Sequence, residues 1–454
     1  MRAKIGSTTS AHMAVNTTDG MVGLASSGIL SDTYVTLLMV KFRVNSRSMV
    51  SFLTTMSPQA GPPLLVWQST VIVISESTRT SMTSQAPHVT LNSPADLTPE
   101  VLTALLRRHR PEVTVTDIRV RSTWQGTTSH LHLDVDYAEP DSVLPQQLFV
   151  KTQLSTVHDL PAAVDESLSE GGGGTVLLDD ETTFYRDLRD DLDIETMTTY
   201  FAEHLDGPSQ FLIVGEDITL RGAQVPDAVA GLSVEQVDAL LATLSRVHAP
   251  FWGSPRLKEG GDMSWLQDPV TGRFADFLRA NGFAIIRAFL EIPYKRELLD
   301  AAGADIDTME TAFWALQDLV AAEPVTLLHG DPHPRNTYLL PDGSVGLLDW
   351  QLVRQGSWVH DVGYALIGAL PPALRRDHER ELLDNYRGRL LDGGVTALPD
   401  REQMWTAYRQ SPAWGFCMWA ITPDQMYSVE IVQAVLGRFA EAYSDLGTGS
   451  LLAR

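Results

Sequence analysis

Two carboxylates and one amide lie within a short stretch of the chain and could do chemistry together. Asp331 and Asn336 follow an apolar run that ends at His329, and Asp349 ends a later apolar run. Carboxylate and amide oxygens are the ligands that hard divalent cations prefer. A carboxylate within reach of a hydroxyl group can also accept its proton. The spacing therefore indicates a divalent-cation site beside a potential general base.

The elements that must position these groups form a predicted β-hairpin. Residues 338–340 and 345–348 are apolar, and the Pro341-Asp342-Gly343 sequence between them is a turn signal. We predict that the chain folds about the Asp342–Gly343 bond. That register would place Asn336 directly opposite Asp349 at the open end of the ribbon.

This constellation resembles the catalytic core of the kinase superfold. It is most similar to the aminoglycoside/choline-kinase-type phosphotransferases, including their ecdysteroid-kinase-like relatives. Asp331, Asn336 and Asp349 match the spacing and order of the kinase base, the metal-binding Asn and the metal-binding Asp. Gly330 gives the His-Gly-Asp form of small-molecule kinases. The resemblance covers roughly residues 95–445 and implies an α+β, two-lobed fold, with a small antiparallel-sheet N-lobe and a large, mostly helical C-lobe.

The resemblance also implies roles for individual residues. Asp331 would be the catalytic base, and Asn336 and Asp349 would hold Mg²⁺. Asp361 would support the catalytic loop by accepting backbone N–H groups, and His329 would be a second structural support. The cofactors implied are ATP and Mg²⁺.

A lysine and a glutamate in the N-terminal half complete the expected nucleotide site. Lys151 ends a strand-like apolar run, and Glu181 lies at helical spacing from Phe184, Tyr185 and Leu188. Glu181 should therefore point inward, where a carboxylate needs a partner to offset its desolvation. The resemblance implies that Glu181 pairs with Lys151, which would hold the α- and β-phosphates of ATP.

Weaker signals indicate further nucleotide contacts. The polar turn at residues 123–129 contains Gly126, and its backbone donors could cover the phosphates; an ordinary hairpin turn is the alternative. Residues 211–214 should form the last N-lobe strand, followed by a hinge in which Glu216 and Ile218 would contact adenine mainly through the backbone. The glycine run at residues 171–174 lacks the Gly-Lys-Ser/Thr ending of a phosphate loop and is predicted to be a linker.

The helical part of the chain is predicted from its apolar periodicity. Ser233 and Gln236 form a capping box for a helix that ends at His248, which we expect to be a hydrogen-bonded structural histidine. Further helices are expected at residues 275–290, 308–322, 373–391 and 425–443. Six aromatic residues cluster between the last two, and we expect most of them in the core and some at an acceptor pocket: Trp405, Tyr408, Trp414, Phe416, Trp419 and Tyr427.

Composition excludes several classes of protein. The 454 residues carry a net charge of −23, which disfavours binding to nucleic acid or to an anionic membrane. A single cysteine fits a reducing cytoplasm, where we expect the protein to be located.

Residues 1–81 hold six basic and three acidic residues without clear periodicity; we expect a disordered or non-native extension, with Met82 as a hypothetical true start. Residues 95–218 should form the N-lobe and hinge, and residues 219–445 the C-lobe.

The expected activity is ATP-dependent phosphorylation of a hydroxyl group on a small molecule. A nucleotide-binding pseudokinase or scaffold is the main alternative. A transition-metal hydrolase using His329, Asp331 and His333 is a second, and a protein kinase is a third. The protein kinase is disfavoured because only twelve positions separate Asp349 from Asp361, too few for a long activation segment. The acceptor remains open between cationic molecules and neutral sterol-like or polyketide-like alcohols, and the oligomeric state is not indicated.

Overall fold

The computed structural model describes residues 89–125, 128–139, 144–154, 180–205, 210–268, 270–424 and 426–453, and short strands between residues 16 and 70. The chain divides into two units, Met1–Gln85 and Ala86–Arg454. The first unit contains strands at Asn16–Thr17, Met21–Leu30, Thr33–Val40, Phe42–Val44, Ser48–Val50, Leu53–Thr54 and Ser69–Thr70. Our interpretation of residues 1–81 stays a prediction. Met82, Gly126 and the glycine run at 171–174 lie outside the described residues.

The second unit begins with a helix and a five-stranded sheet. Helix α1 (Pro99–Leu106) is capped by Thr98, whose hydroxyl accepts the N–H of Val101. The strands are β1 (Val115–Gln125), β2 (Ser129–Tyr137), β3 (Gln147–Thr152), β4 (Thr199–His204) and β5 (Phe211–Glu216). They are antiparallel in the order β4-β5-β3-β2-β1. One sheet face and α1 bury a separate apolar cluster that includes Leu102, Leu133 and Val150.

The remainder of the unit is mostly helical. Its helices are α2 (Val234–His248), α3 (Arg273–Phe277), α4 (Phe283–Phe289), α5 (Pro293–Ala301), α6 (Ile306–Val320), α7 (Val359–Ala369), α8 (Pro372–Asp392), α9 (Arg401–Gln410), α10 (Pro412–Ala420), α11 (Val429–Asp445) and α12 (Thr448–Leu452). Four short strands form two antiparallel ribbons: β6 (Thr326–Leu328) pairs with β9 (Arg354–Gly356), and β7 (Thr337–Leu339) with β8 (Val345–Leu347).

This organisation, with a five-stranded antiparallel sheet followed by a mostly helical part, confirms the predicted α+β fold class. The capping box of Ser233 and Gln236 is present at the start of α2. The helix expected at residues 275–290 is present as α3, a π-helical turn at Leu278–Gly282 and α4 in direct succession. Strand β4 had no clear signal in the sequence. None of the helices in the described residues has the length and apolarity needed to cross a membrane.

The predicted hairpin is present, but its predicted register is wrong by one residue. Tyr338 pairs with Gly346, and the Leu348 N–H donates to the Asn336 carbonyl at 2.8 Å, so Leu348 and not Asp349 faces Asn336. The cause is the turn. Gly343 adopts a φ of +87°, which makes a three-residue loop ending in a left-handed residue. Asp349 therefore lies one position beyond the ladder.

The close approach inside this hairpin predicts opposite effects of two glycine substitutions. A Cβ on Gly346 would lie 2.1 Å from the ring of Tyr338, whereas one on Gly388 in α8 would meet nothing within 4 Å. Gly346→Ala should lower the free energy of unfolding by about 1–3 kcal/mol. Gly388→Ala should raise it by about 0.5–1 kcal/mol, because alanine favours the helix. Urea denaturation measures both, and equal effects of the two variants would contradict the packing.

Candidate active site

Asp361 holds the loop that carries Asp331. One carboxylate oxygen accepts the N–H of His329 at 2.7 Å, and the other accepts the N–H of Gly330 at 2.8 Å. His248 Nε2 donates to the same carboxylate at 3.1 Å, and the Tyr386 hydroxyl lies 2.7 Å from His248 Nδ1. Burial opposes ionisation, but the interactions with His248 and the backbone lower the pKa of Asp361. The structural roles expected for Asp361 and His248 are therefore present in the geometry.

Gly330 is required by the path of the loop. Its φ is +89°, a conformation that side chains other than glycine rarely adopt. A Cβ at this position would lie 2.0 Å from the carbonyl oxygen of Leu352. The guanidinium of Arg354 donates to the Gly330 carbonyl at 2.8 Å and so fixes the peptide from the other side. Sequence reasoning missed Arg354, which lies in a polar stretch without a motif.

His329 has both ring nitrogens engaged. Nε2 donates to the Leu348 carbonyl at 2.9 Å, and Nδ1 accepts the Asp331 N–H at 3.2 Å. Burial lowers the pKa of His329, so the ring is neutral. His333 Nδ1 likewise accepts the Arg335 N–H at 3.1 Å. These histidines position the loop instead of presenting free nitrogens, and the described residues contain no group of three or more His, Cys, Asp or Glu that could hold a metal ion. The hydrolase alternative is therefore disfavoured.

Asp331 lies between three polar side chains. The side-chain amide nitrogen of Asn336 donates to the carboxylate of Asp331 and to the backbone carbonyl of Asp331, each at 3.0 Å. His333 Nε2 lies 3.5 Å from the carboxylate. The buried Tyr364 hydroxyl lies beside it, and burial together with the negative charge of Asp331 raises the pKa of Tyr364 well above its usual value. Because the nitrogen of Asn336 is used, its amide oxygen keeps its acceptor capacity for a cation.

Lys151 is buried between two carboxylates. Its ammonium nitrogen lies 2.5 Å from Glu181 Oε2 and 2.8 Å from Asp349 Oδ1, so the expected Lys151–Glu181 ion pair is present. Burial disfavours the charged lysine, but Asp349 and Glu181 outweigh it and raise the pKa of Lys151. Burial also opposes ionisation of Asp349, and Lys151 reverses this and lowers the pKa of Asp349. Burial raises the pKa of Glu181, against the opposing effect of Lys151.

Asp349 has an unusual backbone conformation. Its φ and ψ are 63° and 69°, and it is the one non-glycine residue with positive φ recorded in the described part of the chain. Non-glycine residues in this region are uncommon and concentrate at functional sites. The 3₁₀ turn Trp350–Leu352 follows directly, and the Trp350 ring stacks on Phe184 at a centroid distance of 3.8 Å. Trp350 thus fixes Asp349 to the segment that carries Glu181.

One backbone hydrogen bond in the predicted hinge, residues 216–218, removes a donor that was expected to contact adenine. The Glu216 N–H donates to the Thr198 carbonyl at 2.9 Å, so it is not available to adenine. The Glu216 carboxylate accepts the Thr198 N–H at 2.8 Å, and Ile218 begins a 3₁₀ turn. Asp217 lies within this predicted hinge, but its side-chain contacts were not predicted. Burial opposes its ionisation, but hydrogen bonds from Thr219, Arg121 and His132 lower the pKa of Asp217 to about 2.

One cavity of about 540 Å³ is lined by almost all of the predicted site residues that lie in the described part of the chain. The two that do not line it are the structural supports His329 and Asp361. This volume lies in the range of ligand pockets. His130 and Phe149 line its N-lobe side, and Lys151, Asp331 and Asp349 lie along it. His130 had no sequence signal; burial and the charge of Lys151 lower the pKa of His130 to about 3. Of the six clustered aromatic residues, three line the cavity: Trp414, Trp419 and Tyr427.

The donor set in this cavity suits Mg²⁺. Lys151 lowers the pKa of Asp349 and so keeps its carboxylate ionised. The backbone carbonyl of Asn336 accepts the N–H of Leu348, the residue before Asp349, and this bond brings Asn336 close to Asp349. Both offer oxygen atoms, the ligands that Mg²⁺ prefers, together with substrate phosphates and water. The residues therefore fit the ion that the sequence implied, and its binding remains a proposal.

Comparison with known proteins agrees with the family resemblance. Residues 215–405 match the sequence model of the phosphotransferase enzyme family. The matched segment contains Asp331, Asn336, Asp349 and Asp361, and confirms the predicted family resemblance over this range. None of the functionally curated proteins matched the sequence significantly.

Several solved structures are similar to the chain at low identity. Plasmodium vivax ethanolamine kinase is 11% identical, with 78% of this chain and 90% of that chain covered and a TM-score of 0.42. Choline kinase LicA from Streptococcus pneumoniae is 16% identical, with 74% and 94% covered and a TM-score of 0.38. A gentamicin complex of the aminoglycoside phosphotransferase APH(2")-IIa is 14% identical, with 76% and 97% covered and a TM-score of 0.41.

The buried carboxylate of Asp361 predicts a large loss of stability on neutralisation. Asp361→Asn replaces one acceptor oxygen by an amino group that faces backbone donors, and should lower the free energy of unfolding by about 3 kcal/mol at neutral pH. The pKa of Asp361 is lowered in the folded state. The difference in free energy of unfolding between the wild type and Asp361→Asn should therefore persist above about pH 4 and disappear as the pH falls further. Urea denaturation against pH measures this. Asp377→Asn, at an exposed position of α8, is the control, and equal losses in both variants would contradict the role of Asp361.

Proposed function

We propose that this protein is a kinase that transfers the γ-phosphoryl group of ATP to a hydroxyl group of a small molecule. The observation that carries the proposal is the arrangement along one cavity of Lys151, ion-paired to Glu181 and Asp349, and of Asp331, hydrogen-bonded to Asn336. The family match of residues 215–405 supports phosphotransfer as the class of reaction.

The N-lobe side of the cavity would bind the nucleotide. Lys151 would bind the α- and β-phosphate oxygens, and Glu181 would keep its ammonium group in place. The adenine would lie between the sheet residues His130 and Phe149 and the backbone around Ile218, which line this end of the cavity. The Glu216 N–H does not take part in these contacts because it already donates to the backbone carbonyl of Thr198.

The reaction requires positioning and charge compensation more than covalent chemistry. Asn336 and Asp349 would hold Mg²⁺, which when bound neutralises charge on the phosphates. Asp331 would orient the acceptor hydroxyl and accept its proton while the hydroxyl oxygen bonds to the γ-phosphorus and the bond to the β-phosphate oxygen breaks, releasing ADP. Asn336 and Tyr364 would hold the Asp331 carboxylate in the orientation that this requires.

The structure gives a reason to prefer a small acceptor over a protein. After Asp349 the chain makes the turn Trp350–Leu352 and strand β9 and then enters α7 at Val359. These residues are largely buried or half-buried, so they form no extended segment on which a peptide could lie. The pseudokinase alternative is distinguished by activity, because each of the catalytic positions is occupied by a competent residue.

The proposed base predicts a selective loss of turnover. Asp331→Asn should lower acceptor-dependent ADP release by at least roughly 100-fold, since proton transfer by a positioned side chain contributes about 10²–10⁴-fold. Binding of Mg·ATP, measured by calorimetry, should change little because Asp331 does not contact the nucleotide in this proposal. Asp342→Asn, in the exposed hairpin turn, is the matched control. A wild-type protein that binds Mg·ATP but releases no ADP with any acceptor would support the pseudokinase.

The buried ion pair predicts a graded effect on nucleotide use. Lys151→Met removes the cation that compensates the phosphates and should lower kcat/KM for ATP by roughly 100-fold or more. Glu181→Gln should lower it less, because Asp349 still contacts the Lys151 ammonium at 2.8 Å. Steady-state ADP release at varied ATP measures both. Activity of Lys151→Met equal to that of the wild type would remove Lys151 from the proposed site.

A further inference from the structure

We propose that the acceptor is a largely apolar alcohol without a cationic group, and that Arg354 with the wall facing Asp331 selects it. This inference rests on the proposed kinase function and specifies the substrate of the same cavity. It concerns the end of the cavity away from Lys151, which the helical part of the chain builds.

The helical wall at this end contains no charged side chain, and the charged side chains that line the cavity here lie on other segments: Asp331, Arg335 and Arg354. The helical wall is formed by one residue of α3, three of α10 and four of the segment between α10 and α11, and these are apolar, aromatic or hydroxyl-bearing: Phe274, Trp414, Met418, Trp419, Ile421, Thr422, Met426 and Tyr427. A polycationic sugar needs carboxylate partners to offset the desolvation of its ammonium groups. This wall offers none, so its burial favours an apolar body.

Asp331 is the carboxylate that an acceptor would meet here, and a buried cation lies close to it. Arg354 is 4% exposed and lines the cavity. No carboxylate oxygen of the described residues lies within 4.0 Å of its guanidinium, and its Nε has no hydrogen-bond partner among them. Its positive charge interacts most strongly with two carboxylates, Asp361, which is buried and does not line the cavity, and Asp331, which does. Arg354 therefore weakens the attraction that Asp331 would exert on a cationic acceptor.

Arg354 also occupies the aromatic faces that an ammonium group would use. Its guanidinium carbon lies 5.0 Å from the ring centroid of Trp414 and 5.5 Å from that of Phe274. These distances fall within the range of cation–π contacts. A quaternary ammonium placed against either ring would meet a like charge in a site shielded from water. Trp414 and Phe274 are therefore suited to contact with apolar groups and not with an ammonium group.

The net charge of the chain does not oppose this inference. The chain has 57 acidic against 34 basic residues, but the acidic side chains that line the cavity, apart from Asp331, lie at the nucleotide end: Glu181, Glu216, Asp217 and Asp349. Glu181 and Asp349 are paired with Lys151, and Asp217 with Arg121. The electrostatic potential at the acceptor site is therefore determined by the side chains that line it, and not by the net charge of the chain.

The test compares neutral and cationic acceptors on the full chain. Cyclohexylmethanol, 4-phenylbutanol and a neutral hydroxysteroid are compared with choline and kanamycin, by ADP release and by ligand-observed NMR binding to protein loaded with Mg²⁺ and a non-hydrolysable ATP analogue. We expect the best neutral alcohol to exceed both cations in kcat/KM and in affinity by on the order of 100-fold. Equal or tighter binding of choline or kanamycin would overturn the inference, even if no compound is turned over.

A charge inserted into the wall gives a second, matched test. Met418 is half-buried and lines the cavity. Met418→Glu should raise the affinity for choline and kanamycin and lower that for the neutral alcohols, whereas Met418→Gln, with the same shape and no charge, should leave the preference for neutral alcohols in place. Thr422→Asp against Thr422→Asn repeats the comparison if Met418→Glu fails to fold. Charged variants that do not alter the preference would contradict the placement of the acceptor.

Failure of this inference can be distinguished from failure of the proposed function. If the wild-type protein does not bind Mg·ATP, the kinase proposal fails whatever the acceptor. If it binds Mg·ATP and phosphorylates a cationic acceptor best, the kinase proposal stands and the inference about the acceptor is wrong.

Discussion

The rest of the site depends on one buried cluster of three charges. Lys151 comes from the sheet, Glu181 from the short helical segment that follows it in the chain, and Asp349 from the end of a C-lobe hairpin. Burying charges costs more than such pairs usually return in stability, so a cluster like this is poor evidence of a stabilising role. Its members must instead be held in place by their surroundings, and the stacked rings of Phe184 and Trp350 hold two of them. The cluster joins the two lobes at the place where a nucleotide's phosphates would lie.

The second constraint is a loop that the backbone alone would not adopt. Gly330, which directly precedes Asp331, and Asp349 both have left-handed backbone conformations. Such conformations persist when surrounding contacts fix them. Asp361 supplies two of these contacts by accepting successive N–H groups, and Arg354 supplies a third through the Gly330 carbonyl. The support for Asp331 thus comes from two buried charged groups, of which Arg354 also lines the cavity and Asp361 does not.

The sequence predicted the parts of this site in which chemistry and local pattern agree. The spacing of Asp331, Asn336 and Asp349, the inward face of Glu181 and the capping box at Ser233 are all short-range signals. The hairpin register failed because the Asp342–Gly343 pair allows either a two-residue or a three-residue turn. A two-residue type I′ turn needs positive φ at both residues, whereas Gly343 is left-handed here and Asp342 is not, which gives the longer turn. The side-chain contacts of His130, Asp217 and Arg354 were not predicted because each acquires its environment from residues far away in the chain. Periodicity cannot report such contacts, and no motif accompanies them.

The position of charge within the fold matters more for recognition than its total. A chain with a net charge of −23 suggests cationic ligands, yet the acceptor end of the cavity combines one carboxylate, Asp331, with two arginines, Arg335 and the buried Arg354. The excess acidic residues lie mainly on solvated surfaces, where salt screens their field beyond about 10 Å. Inside the cavity the lower polarisability of the surroundings makes each nearby charge more effective. The buried guanidinium of Arg354 beside Asp331 therefore has more influence on the acceptor than the surplus of carboxylates outside, and recognition at this site follows from its walls.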